Sequence, residues 1–413
     1  MDPVLTHAAD NDQHDRRRRP PTMRILVAHN CYQQPGGEDE QVAVEVAMLR
    51  SFGHEVAQYN LHNHSIDSMN RFALASRTVW SRSAFLELRR LLRMHQPQIV
   101  HFHNTFPLIS PAAYWAARAE GAPVVQTLHN FRLCCVNAVL FRDGRVCEDC
   151  LGKAIPWPGV LHKCYRDSRG ASGATAAMLT THRLLGTWRE AVDVYIAPSE
   201  FTRCKLVQGG LPADKIVVKP NFVYPDPGFG EGGGGFALFV GRLSQEKGVE
   251  TLLAAWRRLG GLIPLKIVGD GPMAPNVREA AAMDGGIEWL GYRPLDTVYH
   301  LLGEASVLVL PSRCYETFAR VAVEAFAKGT PVVASRLGAM AEIVEDGRTG
   351  LHFEPGDAGD LAAKVLRLLV QPSELAQMRQ AARDKFARSF VADVNHDALM
   401  AIYERAIRTR HPE

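Results

Sequence analysis

A chain of 413 residues exceeds the size at which one hydrophobic core keeps growing, so two domains are expected. The net charge of +3 argues against wholesale nucleic-acid binding, and no apolar run is long enough to span a bilayer. Residues 1–22 are polar and lack the apolar stretch of a secretory signal, so a cytoplasmic protein is expected, one in which eight cysteines are not expected to form a disulfide framework. This opening reads as a disordered tail, with Met23 a candidate natural start because M-R-I-L-V-A-H begins a buried strand at once.

Residues 24–28 predict a first strand, and H-N-C-Y-Q-Q-P-G-G-E-D-E then leads to a helix over 41–51. Gly36 and Gly37 before a helix N-terminus let backbone amides approach an anion; a structural turn is the equal alternative, since the spacing is not that of a dinucleotide fingerprint. Residues 77–94 interleave five arginines with Trp80, Phe85 and four leucines. This pattern suits either a packed helix with a solvated face or peripheral contact with the inner face of an anionic membrane. Two further strands run into His101-Phe102-His103-Asn104 and His129-Asn130, at carboxyl ends where open α/β sheets bind ligands; such histidines can equally be satisfied by hydrogen bonds alone.

An insert at 131–165 holds Cys134-Cys135, Cys147, Cys150 and Cys164 around an Asp143-Gly144 turn. Cys134, Cys147, Cys150 and Cys164 could hold a structural zinc; free thiols and a redox pair are the alternatives. Residues 222–235, with Tyr224-Pro225-Asp226-Pro227 and a glycine run, are the strongest linker signal, separating an acceptor-side domain at 23–221 from a second α/β domain at 236–389. A helical segment at 390–413 could pack back on the first domain.

The second domain restarts the strand, loop, helix order at 236–240. Its strands follow at 265–268, 287–290, 307–310, 331–334 and 350–353, each except the last followed by a helical pattern. Gly241, Arg242 and Lys247 lie in the opening loop, where two cations and a helix start could neutralise a diphosphate, and Gly269-Asp270-Gly271 leaves amides exposed at the next strand end. Glu316 and Glu324 form an E-x7-E pair after the strand at 307–310, with Glu316 on the loop and Glu324 about two turns into a helix. Continuous helical geometry would set the two carboxylates about 12 Å apart along the axis, a span one sugar-sized ligand could bridge.

In this order the residues resemble the retaining glycosyltransferases of family 4, which have the GT-B architecture of two Rossmann-like parallel-sheet domains facing across a cleft. The resemblance rests on P-G-G-E at 35–38, T-L-H-N at 127–130, A-P-S-E-F at 197–201 and K-P-N-F at 219–222. In the second half it rests on V-G-R-L-S-x-E-K-G at 240–248, V-G-D-G-P at 268–272, L-G-Y at 290–292 and the E-x7-E, so that it spans about residues 23–370. It implies that Arg242 and Lys247 hold the donor's diphosphate and stabilise the leaving group, and that Glu324 accepts the ribose hydroxyls. Glu316 would meet the sugar beside the amides of Thr317, Phe318 and Ala319. Gly37 would touch the phosphate, His129 the sugar, and Tyr292 and Arg293 would flank the base. It further implies front-face transfer from a nucleoside diphosphate sugar to a glycan or lipid-linked acceptor in cell-surface polysaccharide assembly, with no protein nucleophile and no catalytic metal.

Ala319 departs from the family's usual glycine or proline, and Gly338-Ala339-Met340-Ala341-Glu342 replaces its common G-G-x-P-E. Two rival readings of this fold are a nucleotide-sugar epimerase, which would turn over donor alone, and a non-catalytic sugar-binding protein, which would leave donor unchanged.

Overall fold

The computed structural model describes residues 22–34 and 36–412, so the expected disordered tail, Thr22 apart, and Pro35 of the P-G-G-E stretch lie outside the described residues. Short branched and apolar runs form the strands of the first sheet: β1 (Arg24–Cys31), β2 (Glu55–His62), β3 (Ile99–Phe102) and β4 (Val124–Thr127). A two-stranded hairpin, β5 (Phe141–Arg142) with β6 (Arg145–Val146), stands in the insert, and β7 (Val194–Ala197) and β8 (Ile216–Val218) complete the sheet in the order β2-β1-β3-β4-β7-β8, every pairing parallel. The second sheet, β9 (Ala237–Val240), β10 (Leu265–Val268), β11 (Ile287–Gly291), β12 (Val307–Leu310), β13 (Val332–Ser335) and β14 (Gly350–Phe353), runs in the order β11-β10-β9-β12-β13-β14 and is also wholly parallel. Separate apolar clusters cover the two faces of each sheet, which is why β3, β4, β7 and β12 read as unbroken apolar or neutral runs rather than alternating ones.

Strand order reverses between β9 and β12, and these two strands pair over only Val307 with Ala237 and Leu308 with Leu238. Beyond that they splay, opening a crevice at their carboxyl ends, the place where doubly wound sheets bind ligands. The loop after β9 is anchored by the helix Val249–Leu259, which buries Val249, Leu252 and Trp256, the indole N–H donating to Ile263 O at 2.9 Å. Each such buried apolar side chain contributes about 1.5–3 kcal/mol.

Three expectations change. Residues 77–94 are not one helix: Ser81 caps a new helix (Arg82–His95) by accepting from Ala84 N, and the preceding helix (Arg71–Val79) ends at Trp80. β14 is followed by a helix (Ala358–Val370) started by Asp357, whose carboxylate accepts from the amides of Gly359 and Asp360. The glycine run at 228–235 is seated on the second domain rather than free. Gly230 N donates to Lys328 O and Gly232 N to Gly303 O, and a β-carbon on Gly230 would lie 2.3 Å from Gly303 Cα. Glycine serves close backbone approach here, not flexibility. The chain crosses between the domains at Phe222 and Val223 and returns at Phe390, joined by Val223 N to Phe390 O at 3.1 Å, after which the helix Ala392–Arg410 packs on the first sheet.

Candidate active site

The crevice between β9 and β12 brings Lys247 and Glu316 together. Lys247 Nζ donates to Glu316 Oε1 at 2.6 Å, and Ser312 Oγ donates to the same oxygen at 2.7 Å. Backbone geometry forces this meeting: Arg313 N donates to Glu246 O, and a β-carbon on Gly248 would fall 1.8 Å from Pro311 O, so the two loops touch main chain to main chain. Burial works to lower the Lys247 pKa, but Glu316 and Cys314 outweigh it and raise it, so the ammonium stays charged. Arg242 is exposed on the same loop. Gly269 and Gly271, both at positive φ, pack under that loop, where β-carbons would lie 1.9 Å from Gly241 O and 2.5 Å from Leu243 O. Their requirement for glycine is therefore loop-on-loop packing beside the site. Tyr292 and Arg293 follow β11, both exposed.

The helix (Arg320–Ala327) begins at Arg320, so Glu316 lies in the preceding loop as expected, Glu324 one turn rather than two into the helix, and no common helical register relates the two glutamates. Glu324 is buried one turn into that helix and pairs with Arg320 Nε at 3.0 Å; burial raises its pKa while Arg320 opposes. Arg320 Nη1 also reaches Glu40 Oε2 at 2.8 Å and Gly37 O at 3.3 Å on the facing domain. Phe318 and Ala319 are buried in the turn between.

On the facing wall, Gly36 caps the helix Gly37–Ser51, with its N–H donating to Asp39, and open space surrounds both glycines where β-carbons would stand. The first turn also carries Glu38, Asp39 and Glu40, which oppose an anion there unless paired, as Asp39 is with His29 and Glu40 with Arg320. His129 lines a cavity of ≈ 30 Å³ with Glu38, Asn130 and Arg132. Behind it His129 Nε2 meets His103 Nδ1 at 2.9 Å, and His103 Nε2 lies 3.3 Å from Glu45 Oε1. Burial, then the adjacent His101 ring, lowers His103 to about 3, and burial with His103 holds His129 well below the usual imidazole range, so both rings are neutral. Both rings being neutral, the His129–His103 bond is made of one N–H and one lone pair. Glu45 is kept ionised against its burial by Lys219 and His101.

The two walls are joined directly. Thr317 Oγ1 donates to His129 O at 2.7 Å, and Ser199 and Thr202 hydroxyls donate to Thr317 O. Glu342, in the variant G-A-M-A-E loop, accepts from Glu200 N and Phe201 N, both at 3.0 Å, capping a helix (Glu200–Gln208) of the opposite domain.

Comparison with known proteins fits this geometry. Residues 38–226 match the profile of Glycosyltransferase Family 4, and residues 235–371 match that of Glycosyl transferases group 1. The chain belongs to glycosyltransferase family 4. Relatives include an uncharacterised glycosyltransferase of Methanocaldococcus jannaschii, 35% identical over 38% of this chain and 44% of its own, so the chain spans under half of that relative's length. The 2-deoxystreptamine glucosyltransferase of Streptomyces kanamyceticus is 28% identical over 79% of this chain and 82% of its own. Among solved structures, Anabaena HepE in complex with UDP and glucose superposes with a TM-score of 0.64 at 16% identity, covering 92% of this chain and 99% of that one. The fold is accordingly GT-B.

Sequence reasoning passed over Ser312, Arg320, Glu342 and Glu45. Arg320 was recoverable from its i, i+4 spacing to Glu324; Glu45 carried no local signal, and His103 was marked only by its place at a strand's carboxyl end. The cysteine set also changes. Cys134 Sγ donates to Phe131 O at 3.3 Å and faces Gly209, whereas Cys135 lines a cavity with Cys147, Cys150 and Cys164. Adjacent residues of a tight turn point to opposite sides, so only one of the pair can face that cavity.

Proposed function

We propose that the protein is a retaining glycosyltransferase that moves a sugar from a nucleoside diphosphate sugar to a glycan or lipid-linked acceptor, in cell-surface polysaccharide assembly. The observation that carries this reading is the Lys247, Glu316 and Ser312 contact at the splayed ends of β9 and β12. Lys247 and Arg242 neutralise the diphosphate as the anomeric carbon–oxygen bond breaks. The acceptor oxygen bonds to that carbon on the same face, and its proton passes to the departing phosphate. Fixed cations of this kind stabilise developing charge without reorganisation. Glu316, oriented from two sides, accepts the donor sugar's hydroxyls, Glu324 the ribose hydroxyls after exchanging Arg320, and His129 contacts the sugar from the facing domain. The HepE complex with UDP and glucose supports a uridine nucleotide sugar as the first donor to try. Arg242 and Lys247 replace a divalent cation in this scheme.

The test is donor turnover with and without acceptor. Lys247→Ala and Glu316→Ala should each lower transfer by about 10²–10³-fold while still folding, and added magnesium or manganese should leave the wild-type rate unaltered. Full activity in both variants removes the site assignment; conversion of donor without acceptor would favour an epimerase. Peripheral membrane contact belongs to the same reading. Leu86 (52% exposed) lies one turn from Arg82 on the helix Arg82–His95, although Arg89 and Arg93 are engaged by Glu120. No helix among the described residues is long and apolar enough to cross a membrane.

A further inference from the structure

Cys135, Cys147, Cys150 and Cys164 line one cavity of ≈ 10 Å³ in the insert. That is about the space one water-sized sphere needs, so it accommodates a single ion and nothing larger. The four sulfurs arrive from separate pieces of chain. Cys135 follows the turn at Phe131, Cys147 directly follows β6, Cys150 lies three residues on, and Cys164 is returned by the short helix Trp157–Leu161, with its N–H donating to Gly159 O. We propose that this is a structural zinc site ligated by the thiolates of Cys135, Cys147, Cys150 and Cys164.

The sulfurs ring the void without yet meeting, since no three of them lie mutually within 4.8 Å. Zinc–sulfur bonds of about 2.3 Å in a tetrahedron bring sulfurs to about 3.8 Å from one another, so ligation contracts the ring. Zinc enters as the dication, four S–H protons leave to solvent, and the complex carries two negative charges. Arg142 lines the same cavity, its guanidinium held by Asp149 at 2.8 Å. Four protein ligands leave no open coordination position, so the ion's part is structural rather than catalytic.

The insert needs such a fastening. Six of the eight non-glycine residues at positive φ among the described residues fall within or just past it: Ala138, Leu140, Asp143, Lys163, Arg166 and Asp167. Residues so placed persist only where the surroundings over-determine them, and the insert contributes only a two-residue-strand hairpin and a five-residue helix of its own. The fastening also reaches the active site. A β-carbon built on Gly144, at the hairpin turn, would lie 3.5 Å from Gln245 Nε2, two residues from Lys247, and Glu148 pairs with Lys205 at 2.6 Å.

The experiment measures metal content on the full chain, purified untagged under reducing conditions without chelator, by inductively coupled plasma mass spectrometry. Wild type and Cys134→Ser should each hold about one zinc per chain, and Cys135→Ser and Cys164→Ser little. Should the ligand variants fail to fold, wild type grown on cobalt gives a separate readout, the sulfur-to-cobalt charge-transfer and tetrahedral d–d bands of a thiolate site. Metal-free wild type, iron in place of zinc, a disulfide among the four, or zinc lost by Cys134→Ser but kept by Cys135→Ser would each overturn the proposal.

Discussion

Glu45 is nearly inaccessible, yet it balances Lys219 at 3.3 Å, His101 at 3.1 Å and His103 at 3.3 Å, behind the ring that faces the acceptor side. Removing one partner of a buried ion pair costs about 3–5 kcal/mol, because the other charge is left uncompensated. Glu45→Gln should therefore lower the unfolding free energy measured in urea by that much; an unchanged value would mean that Lys219 finds another partner. The pH dependence follows from the same residues. His54, His103, His129 and His396 all have folded-state pKa values below the ordinary imidazole value, His103 at about 3. From pH 6.5 downward the unfolded chain therefore takes up protons that the folded chain refuses, and stability falls. Glu45, with its depressed pKa, adds to the loss once pH drops below about 4.5. Urea titrations between pH 7.5 and 5 should show the midpoint declining with acid, and a level profile would contradict a neutral, buried histidine cluster.

Among the elements, loops rather than helices or strands decide whether the donor-side crevice forms. Gly260 and Gly269 both have positive φ, but a β-carbon on Gly260 meets nothing within 4 Å, whereas on Gly269 it would overlap Gly241 O at 1.9 Å. Gly260→Ala should cost about 1–2 kcal/mol from backbone strain alone. Gly269→Ala should cost about 3–5 kcal/mol, because displacement of the Gly241–Leu243 loop is added to that strain. Chemical denaturation of the two variants checks this, and equal losses would show that the loops yield without resistance. The same reasoning explains the seated glycine run at 228–235: composition alone does not distinguish a flexible tether from a segment whose backbone must lie against Gly303.

For the molecule as a whole, the two domains are locked by Arg320 to Glu40, Thr317 to His129 O, and Glu342 to the amides of Glu200 and Phe201. With these links in place the cavity beside His129 is small, ≈ 30 Å³. Arg320→Ala combined with Glu342→Ala should open the domains about the paired crossings at Val223 and Phe390, seen as a larger radius of gyration in small-angle X-ray scattering. An unchanged radius would place the closing force in other contacts. Glu342, which the G-A-M-A-E loop shares with G-G-x-P-E, supplies a carboxylate cap from the other domain, where it complements the positive end of the helix dipole.

The alternation of short apolar runs with glycine loops and helical patterns determined the two α/β domains, and the ordered motifs determined the family. Both signals are local: a buried parallel strand and a loop that must approach a ligand each constrain the residues that make them. Arg242, Lys247 and Glu316 were legible for that reason, lying in loops directly after β9 and β12. Only the tertiary structure decided which of two adjacent cysteines faces its partners, since turn geometry and not spacing points Cys135 inward. It likewise decided that Glu324 is held by Arg320, that a glycine run is seated rather than free, and that Glu45, His103 and His129 form one chain of contacts. Those residues stand far apart in sequence and meet through packing, and pairwise packing across a fold leaves no periodicity along the chain to read.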